Sequence, residues 1–494
     1  MYKKQINRNK KKIVLCHGVF DLVHTGHVSY LKKAKELGNH LIVSVTSDKH
    51  VNKGPGRPVF NTQQRISFLT ELKFIDEVHE SNNPTAVEII KKIKPNFYCK
   101  GIDYPLSKII DDQNLKNEIS AVKKNKGKFV VISERKFSSS KLINDNDLNN
   151  LNDKCKDFLK SIRTTKSLNQ INLDLKKLNN LKVLVIGEMI IDDYIFINPV
   201  GKSGKEPILI YKKDNQNKFI GGSGYISNLV SSFAKSVDLI SLIGEKKEDL
   251  NFIKKNLNKN VKFTFEKKEN SPTIVKTRYL DAYKNNKIMG IYKLNDEVIS
   301  KKVEKKLLSK LKKLLKTCDL IVVADYGHGL FSEKIRNELQ KFNNKMYLNT
   351  QINSFNRGFH TLSNYKKTNA LILNESELRY EMKDQNSKLE KLLKKLKKRI
   401  KLNHLVVTQG RFGSTHFTNN KKFFCPAFSE TALDSTGAGD TYFALTALGI
   451  AAKIDFKLVN LISSLASAYS VKNLSNKEYY NLTLLNKHLS HMFK

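Results

Sequence analysis

Residues 16–27 read Cys-His-Gly-Val-Phe-Asp-Leu-Val-His-Thr-Gly-His, and this segment decides how the first part of the chain is interpreted. An apolar run at 13–15 precedes the segment, and residues 28–34 follow it with the apolar spacing of a helix. The pattern therefore predicts a strand, a tight glycine-containing turn and a helix. The free backbone N–H groups and the positive dipole end at the start of that helix suit a phosphate group.

His24 and His27 stand where this predicted helix begins. Because the two residues are three positions apart, their side chains can face the same spot. Two imidazoles can donate to phosphoryl oxygens as charge develops during an in-line displacement. A structural zinc site would need four ligands, and the sequence offers no matching pair of cysteines downstream. The pair therefore indicates phosphoryl chemistry rather than a metal site.

Length and composition indicate a multidomain protein of the cytoplasm. With 494 residues, of which 40% are hydrophobic, the chain is too long for one ordinary core and apolar enough for two or three. No apolar run approaches the ~20 residues that span a bilayer, and the basic N-terminus lacks the apolar segment of a secretory signal. Five scattered cysteines without a Cys-x-x-Cys pair favour a reducing compartment. We expect no membrane partner.

The formal net charge of +41 raises the question of nucleic-acid binding. The lysines are spread along the chain, however, and the basic segment 391–401 carries apolar residues at helical spacing, which is typical of a solvated helix face. We therefore expect no nucleic-acid partner. A positive surface suits anionic substrates such as sugar phosphates and nucleotides equally well.

Residues 13–145 alternate strand and helix signals, which predicts an α/β domain with a parallel sheet. Ligands of such domains bind at the carboxyl ends of the strands. Polar motifs stand at these predicted ends, namely Ser-Asp at 47–48, Lys-Gly-Ile-Asp-Tyr at 100–104 and Ser-Ser-Ser-Lys at 138–141. The serine run precedes a predicted helix, where hydroxyls and backbone N–H groups could hold a phosphate.

The turn at 18–21 and the following His-x-Gly-His together resemble the cytidylyltransferase-like branch of the nucleotidylyltransferases. The resemblance implies a Rossmann-like domain over residues 1–145 and catalytic roles for His24 and His27. It implies nucleotide contacts from Val19, Phe20, Asp103, Ser139 and Ser140. It also implies that Lys53 and Arg65 contact phosphates of the two substrates. The triple serine departs from the Ser-Thr-Thr that is common in the family.

Residues 146–180 are rich in Asn, Asp and Lys and contain few apolar residues, which predicts a linker. Within it, residues 154–162 are compatible with a short helix. A buried-type strand then restarts at 181–187, and strands ending in acids or glycines follow at 320–327, 371–377 and 405–410. The second domain is therefore predicted to span residues 181–494.

Residues 434–441 read Asp-Ser-Thr-Gly-Ala-Gly-Asp-Thr and precede an apolar helix. Three small residues in a row, Gly437, Ala438 and Gly439, let backbone N–H groups converge on a transferred phosphoryl group. Asp440 beside them can accept the proton of an attacking hydroxyl. The string therefore predicts the base and the anion hole of a kinase.

This string resembles the signature of the ribokinase-like (PfkB) sugar kinases. The resemblance implies a ribokinase-like α/β domain, with Asp440 as the base and Gly437, Ala438 and Gly439 as the anion hole. It implies Asn374 and Glu377 near Mg²⁺ and the phosphates, and Thr408 and Gly410 at ATP. The sugar would be bordered by Asp192, Gly221, Gly222 and Asn228.

Segments 201–208, 272–278 and 324–329 resemble the heptose-7-phosphate kinase branch of that family more closely. In that branch Lys276 and Arg278 would contact the phosphate of the substrate. Two departures leave the acceptor open: Gly-Gly-Ser-Gly at 221–224 replaces Gly-Gly-Ala-Ala, and Asn-Thr-Gln at 349–351 replaces Asp-Pro-Lys.

The two domains together resemble the bifunctional enzymes of ADP-heptose synthesis, with the domains in reverse order. The resemblance implies ATP-dependent phosphorylation of a heptose 7-phosphate at O1. It also implies nucleotidyl transfer, with ATP as the donor, to a sugar 1-phosphate, with Mg²⁺ as cofactor. One alternative is a CTP-using cytidylyltransferase joined to a kinase for another sugar or polyol; a second is a non-catalytic regulatory protein. The oligomeric state stays open, with a homodimer as one candidate.

Overall fold

The computed structural model describes residues 11–51, 58–101, 113–132, 151–357, 362–418, 421–429, 432–475 and 477–493. The chain divides after Asn150 into two units, Met1–Asn150 and Leu151–Lys494. In the described part of the chain, no helix is long and apolar enough to cross a bilayer.

The first unit is built around the strand that the sequence predicts before the His-x-Gly-His motif. Its strands are β1 (Ile13–Gly18), β2 (His40–Thr46), β3 (Glu77–Ser81), β4 (Phe97–Gly101) and β5 (Lys128–Ile132). Its helices are α1 (Thr25–Glu36), α2 (Thr62–Thr70), α3 (Val87–Ile93) and α4 (Gln113–Lys124). Within the described residues the strands form one parallel sheet in the order β3-β2-β1-β4-β5.

Strand β1 is buried on both faces, which explains its continuous apolar sequence. Val14 packs on one face with Leu31 of α1. Leu15 packs on the other face with Ile90 of α3 and Val122 of α4. Because helices cover both faces of the sheet, ligands can approach at the carboxyl ends of the strands. The polar turn after β1 lies at this edge.

The second unit has a larger sheet. Its strands are β6 (Lys182–Gly187), β9 (Ser236–Ile243), β10 (Val261–Lys267), β13 (Leu320–Asp325), β14 (Met346–Thr350), β15 (Ala370–Asn374), β16 (His404–Thr408), β17 (Ser414–Thr418) and β18 (Lys421–Cys425). In the part that the structure describes, they are ordered β10-β9-β6-β13-β14-β15-β16-β17-β18. The sheet is parallel up to β16, and β17 and β18 add antiparallel strands at its edge.

A small sheet of four strands, in the described residues, belongs to the same unit, and the sequence did not predict it. Its strands are β7 (Met189–Lys202), β8 (Leu209–Gly221), β11 (Ile274–Asp281) and β12 (Lys287–Lys293). They are ordered β12-β11-β7-β8, with β7 and β11 parallel and the outer pairs antiparallel. Its side chains are mixed: Ile190 is buried, whereas Leu209 and Ile291 are exposed.

Helices cover the large sheet of the second unit. They are α5 (Asp153–Arg163), α6 (Leu168–Lys176), α7 (Gly222–Ser231), α8 (Lys247–Asn256), α9 (Lys301–Leu315), α10 (Glu333–Gln340), α11 (Glu375–Met382), α12 (Leu389–Lys397), α13 (Ala438–Ala451), α14 (Phe456–Ser470) and α15 (Leu482–Met492). Helices α7 and α13 are buried along almost their whole length. The segment that follows the predicted anion hole is therefore an interior helix.

The prediction that residues 146–180 form a linker needs correction, because α5 and α6 lie in the second unit. Phe158, Leu159 and Ile162 of α5 are buried at helical spacing. The guanidinium of Arg163 donates to the Met492 carbonyl at 2.8 Å, which joins α5 to the C-terminal helix. Most of the Asn and Lys residues between positions 151 and 180 that suggested a linker are exposed.

Replacing Leu159 by Ala should lower the free energy of unfolding of the second unit by ~2–4 kcal/mol, because the substitution leaves a cavity in a buried contact. The matched control is Leu173→Ala in the adjacent helix, where the side chain is 60% exposed and a change within ~0.5 kcal/mol is expected. Chemical denaturation of both variants gives the comparison. Equal and negligible effects would mean that α5 does not pack on the second unit.

Two buried histidines should make the second unit sensitive to acid. Burial, followed by the nearby His404, lowers the pKa of His416 from 6.5 to about 3, and burial lowers the pKa of His488 to about 4. The native state therefore binds fewer protons than the unfolded state as the pH falls below 6.5, so stability is retained above that pH and lost below it. Each histidine contributes at most ~1.4 kcal/mol per pH unit in this window. Denaturation between pH 5 and 7.5 should show a shallower pH dependence for His416→Phe than for the wild type, and identical slopes would contradict this assignment.

Candidate active sites

His24 and His27 lie together at the start of α1, as the sequence predicts. Nδ1 of His24 accepts a hydrogen bond from the Gly26 N–H at 3.0 Å, and Nδ1 of His27 accepts one from the His24 N–H at 3.4 Å. The two ring centroids are 4.1 Å apart. The histidines therefore cap the helix and face the same region.

These two bonds fix where the imidazole protons lie. Because each Nδ1 accepts a backbone N–H, the proton of each neutral ring is carried by Nε2. Burial also lowers the pKa of His24 below its ordinary value, which favours the neutral ring. The arrangement therefore supplies two Nε2–H donors that can bind phosphoryl oxygens at the positive end of a helix.

The turn between β1 and α1 is held in an uncommon conformation. Phe20 has a φ of +48°, in the left-handed region, and its buried ring meets the His27 ring edge-on at 5.7 Å. A Cβ at Gly18 would lie 3.2 Å from the Phe20 ring, a tight contact that would require the ring to shift slightly. Val19 and Phe20 thus lie beside the histidine pair, and their contacts with a nucleotide remain a prediction.

Arg65, predicted to contact a substrate phosphate, is instead engaged within the domain in this structure. Arg65 is 1% exposed, and its five N–H donors are all used within the domain. The acceptors are the carbonyls of Val19, Thr46 and Phe60, the Thr62 hydroxyl and the Asp48 carboxylate. Arg65 therefore fastens the turn after β1 to β2 and α2.

Four predicted nucleotide contacts, Lys53, Asp103, Ser139 and Ser140, lie outside the described residues. Lys100, at the end of β4, is described and buried. Its ammonium lies 3.4 Å from the carboxylate of Glu118, which also accepts a hydrogen bond from the Tyr98 hydroxyl at 2.8 Å. Glu118 was not predicted from the sequence, because an isolated acid in a helix usually faces solvent.

The predicted base of the second unit, Asp440, lies in the first turn of α13 and is buried. Gly437 precedes this helix with a φ of +81°, a conformation that favours glycine. Burial raises the pKa of Asp440 to about 7; the hydrogen bond from the Tyr326 hydroxyl, 2.9 Å long, and the charge of Lys276 oppose the rise, while Asp192 adds to it. A carboxyl group that titrates near neutral pH is suited to accept a proton there.

Asp192 of β7 and two cations of β11 lie side by side in the small sheet. Arg278 donates to the Asp192 carboxylate at 2.5 Å, and Lys276 is the strand-register neighbour of Asp192. The Lys276 ammonium lies over the rings of Tyr292 and Tyr326, at 5.8 and 6.0 Å from their centroids. Burial lowers the pKa of Lys276. The structure thus brings both predicted cations next to the predicted sugar-binding acid.

Gly221 and Gly222 leave the space that this arrangement requires. A Cβ at Gly221 would lie 2.2 Å from an Asp192 carboxylate oxygen, and a Cβ at Gly222 would lie 2.6 Å from the Glu188 carbonyl. Gly222 also has a φ of +54°. Larger residues at either position would displace Asp192 or the strand that carries it.

Asn228, predicted to border the sugar, instead contacts other parts of the same unit. Asn228 is fully buried, and its amide nitrogen donates to the Asn256 carbonyl at 2.8 Å and to the Tyr479 hydroxyl at 2.9 Å. Its amide oxygen accepts from the Asn258 N–H at 2.8 Å. The side chain therefore holds α7 against the segment after α8.

Asn374 and Glu377 form the capping box at the start of α11. The Asn374 side chain accepts from the Glu377 N–H at 2.8 Å, and the Glu377 carboxylate accepts from the Asn374 N–H at 2.9 Å. Burial raises the pKa of Glu377 to about 7. A buried carboxylate beside an amide oxygen suits Mg²⁺, which commonly binds one or two carboxylates together with substrate phosphates and water.

Thr408 ends β16 opposite Asn374, so the predicted ATP contacts lie on neighbouring strands. Gly410 follows with a φ of +57°. A Cβ at Gly410 or at Gly439 would meet no atom within 4 Å, so both backbones border open space. Open space at these two positions is what the approach of a nucleotide requires.

Tyr326 and Glu188 are two site residues that sequence reasoning missed. The Glu188 carboxylate accepts from the Tyr326 and His328 N–H groups at 3.0 and 3.1 Å, and burial and Asp325 raise its pKa to about 8. Glu188 thus holds the segment from which Tyr326 reaches Asp440. The sequence Ala-Asp-Tyr-Gly at the end of β13 could have indicated Tyr326. In that motif, however, Asp325 is the more obvious candidate for a functional residue.

Comparisons with known families agree with this division. Residues 180–474 match the family model of the pfkB family carbohydrate kinases, and residues 15–146 match the cytidylyltransferase-like model. The first match covers more than half of the chain. Both predicted domain types are therefore confirmed.

Curated relatives match shorter stretches. Bifunctional protein HldE of Campylobacter jejuni (strain RM1221) is 39% identical over 140 residues, which is 28% of this chain and 28% of that protein. Bifunctional protein HldE of Vibrio cholerae serotype O1 is 44% identical over 103 residues, covering 20% of this chain and 22% of the relative. The chain thus matches less than a third of the length of these relatives.

Ribokinase from Thermotoga maritima is 18% identical, with a TM-score of 0.50 over 63% of this chain and 99% of that structure. At this identity the likeness shows the fold alone, and it confirms the predicted ribokinase-like architecture. The chain belongs to the pfkB family of carbohydrate kinases, and it carries a cytidylyltransferase-like domain ahead of its kinase domain.

Proposed function

We propose that the protein is a bifunctional enzyme of nucleotide-sugar synthesis. In this proposal the second unit transfers the γ-phosphoryl group of ATP to O1 of a heptose 7-phosphate. The first unit transfers a nucleotidyl group from ATP to a sugar 1-phosphate and releases pyrophosphate. The observation that carries the proposal is the presence in one chain of a paired-histidine helix start and of a buried Asp440 beside a glycine-rich helix start. A location in the cytoplasm and assembly as a homodimer belong to the same proposal.

The kinase step uses Asp440 as the base. Its carboxylate accepts the proton of the attacking sugar hydroxyl while the Tyr326 hydroxyl holds one of its oxygens. The N–H groups at the start of α13 stabilise the negative charge on the transferred phosphoryl oxygens. Mg²⁺ bound beside Asn374 and Glu377 would neutralise charge on the phosphates of ATP.

A phosphorylated acceptor is the natural substrate for the small sheet. Lys276 and Arg278 lie next to Asp192. Asp440 and Glu188 also act on Lys276, but burial raises their pKa values to about 7 and about 8, so both acids are partly protonated near neutral pH. Because guanidinium and ammonium groups bind phosphate through charge-assisted hydrogen bonds, we infer that they hold the phosphate already present on the sugar. This inference supports heptose 7-phosphate over an unphosphorylated sugar.

The nucleotidyl-transfer step uses His24 and His27. An oxygen of the sugar 1-phosphate attacks the α-phosphorus of the nucleotide, and pyrophosphate leaves. Negative charge grows on the phosphoryl oxygens during this displacement, and the two Nε2–H groups stabilise it together with the N-terminus of α1. Neither histidine needs to move a proton, which agrees with the lowered pKa of His24.

A second candidate is a CTP-dependent reaction on another sugar or polyol. The observation that favours it is the match of residues 15–146 to the cytidylyltransferase-like model. The names of the relatives, Bifunctional protein HldE, support the ATP and heptose assignment instead.

An assay of ATP, CTP, GTP and UTP against a panel of sugar phosphates, with the product masses recorded, separates the two candidates. Consumption of ATP with formation of an ADP-sugar supports the proposed function. Formation of a CDP-linked product would replace it with the second candidate, and the absence of any nucleotide-sugar product would refute both.

A further inference from the structure

Lys287, the first residue of β12, contacts the loop that leads into the predicted anion hole. Its ammonium donates to an Asp434 carboxylate oxygen at 2.6 Å and to the Thr436 hydroxyl at 2.9 Å. The side chain of Lys287 is 39% exposed, whereas that of Asp434 is 1% exposed. The contact is therefore an ion pair between a partly exposed cation and a buried anion.

Asp434 organises the backbone of this loop. Its carboxylate accepts from the Thr436 N–H at 2.9 Å, from the Ser475 N–H at 3.0 Å and from the Tyr194 hydroxyl at 2.7 Å. Burial acts to raise its pKa, but the hydrogen bond from Lys287 and the others hold the pKa of Asp434 well below its ordinary value. The charged carboxylate thus fixes the loop three residues before Gly437, where the anion hole begins.

The small sheet therefore carries the residues proposed to hold the sugar and also contacts the loop proposed to hold the transferred phosphoryl group. Asp192, Lys276 and Arg278 lie on its sugar side, and Tyr194 pairs in register with Arg278. The same sheet reaches Asp434 through Tyr194 and Lys287. A contact that joins the sugar-holding sheet to the phosphoryl-holding loop can set the distance between acceptor and donor.

We propose that Lys287 is a positioning residue for phosphoryl transfer, which fixes the loop 434–437 relative to the sugar-binding sheet; the inference rests on the proposed kinase function. Lys287 does not touch the reacting atoms in this role. Asp434 keeps four other hydrogen bonds when Lys287 is removed, including one from the Thr436 hydroxyl at 2.8 Å, so the loop remains folded. The variant loses the charged contact between β12 and the loop. The loop can then shift slightly, and small errors in the placement of reacting groups lower reaction rates strongly.

A purely structural ion pair predicts a different result. Its loss would lower the melting temperature, because the buried Asp434 carboxylate would lose a charged partner, but kcat of the folded enzyme would not change. A positioning role predicts a fall in kcat with almost unchanged KM, because correct placement matters most in the transition state.

The test uses the full chain with ATP and heptose 7-phosphate, and it compares Lys287→Met, Lys287→Arg and Lys293→Met. Lys293 lies exposed at the other end of β12, opposite Val275, and therefore on the face away from Lys276 and Arg278. We expect Lys287→Met to lower kcat by ~10-fold or more, with KM for both substrates within ~3-fold of wild type. Lys287→Arg should recover most of kcat, and Lys293→Met should match wild type.

Three outcomes would overturn the proposal: a kcat within twofold of wild type in Lys287→Met, an equal loss in Lys293→Met, or an arginine variant as impaired as the methionine variant. If Lys287→Met does not fold, the milder Lys287→Gln, which keeps a donor but not the charge, takes its place with the same criteria. Failure of the proposed function is distinguishable, because the wild-type chain would then leave heptose 7-phosphate unphosphorylated.

Discussion

Replacement of Asp440 by Asn should lower kcat of the kinase reaction by ~10²-fold or more and leave KM for both substrates nearly unchanged. The amide keeps the size of the carboxyl group and can still accept from Tyr326, but it cannot take the proton of the attacking hydroxyl. The loss therefore falls on the transition state. Steady-state release of ADP measures it, and Asp384→Asn, in a surface ion pair with Lys395, is the matched control.

The pH dependence of the same reaction gives an independent check on Asp440. Burial raises the pKa of Asp440 to about 7, so the deprotonated, active form predominates above that pH. The value of kcat/KM should therefore fall about tenfold per pH unit below about 7 and level off above it. In Asp440→Asn this fall of kcat/KM below about pH 7 should be absent. A variant with normal kcat and an unchanged pH profile would eliminate Asp440 as the base.

Removal of His24 or His27 should lower the rate of nucleotidyl transfer about as much as Asp440→Asn lowers the rate of the kinase reaction. His24→Ala and His27→Ala should each lower nucleotidyl transfer by ~10²-fold or more, because each ring donates to the phosphoryl group in the transition state. Kinase activity of the same variants is the internal control and should not change. Pyrophosphate release and ADP release report the two reactions separately.

His24 also caps α1, so its alanine variant loses both the helix cap and the Nε2–H donor. His24→Asn separates them, because the Asn side-chain oxygen can accept from the Gly26 N–H as Nδ1 does, while the Nε2–H donor is absent. We expect the asparagine variant to be as inactive in nucleotidyl transfer as the alanine variant. Full activity in His24→Asn would mean that the ring serves only as a cap.

Local motifs allowed the core of both sites to be predicted from the sequence. The turn after β1 and the string before α13 each place their functional residues within a few positions of one another. Helix geometry then brings His24 to His27 and puts Asp440 beside Gly437 without help from the rest of the chain. Placement of this kind depends on short-range geometry, and the structure agrees with it, while the catalytic roles of these residues remain predictions.

Residues whose role depends on distant partners could not be predicted. Arg65 and Asn228 have side chains that could bind a ligand. In the fold, however, they form hydrogen bonds with residues that are distant in the sequence. Tyr326 reaches Asp440 across 114 positions and Lys287 reaches Asp434 across 147. The small sheet was missed because its strands alternate polar and apolar residues irregularly. Its two hairpins are also joined only by the pairing of β7 with β11, which lie far apart in the chain.

The most direct test of the two-reaction proposal is the mass of the products that the full chain forms from ATP with heptose 7-phosphate and, separately, with heptose 1-phosphate. We expect heptose 1,7-bisphosphate and ADP from the first mixture, and ADP-heptose and pyrophosphate from the second. Asp440→Asn should abolish only the first product, and His24→Ala only the second. A wild-type chain that forms neither product, or that phosphorylates unphosphorylated sugars in preference to the sugar phosphate, would contradict the proposal.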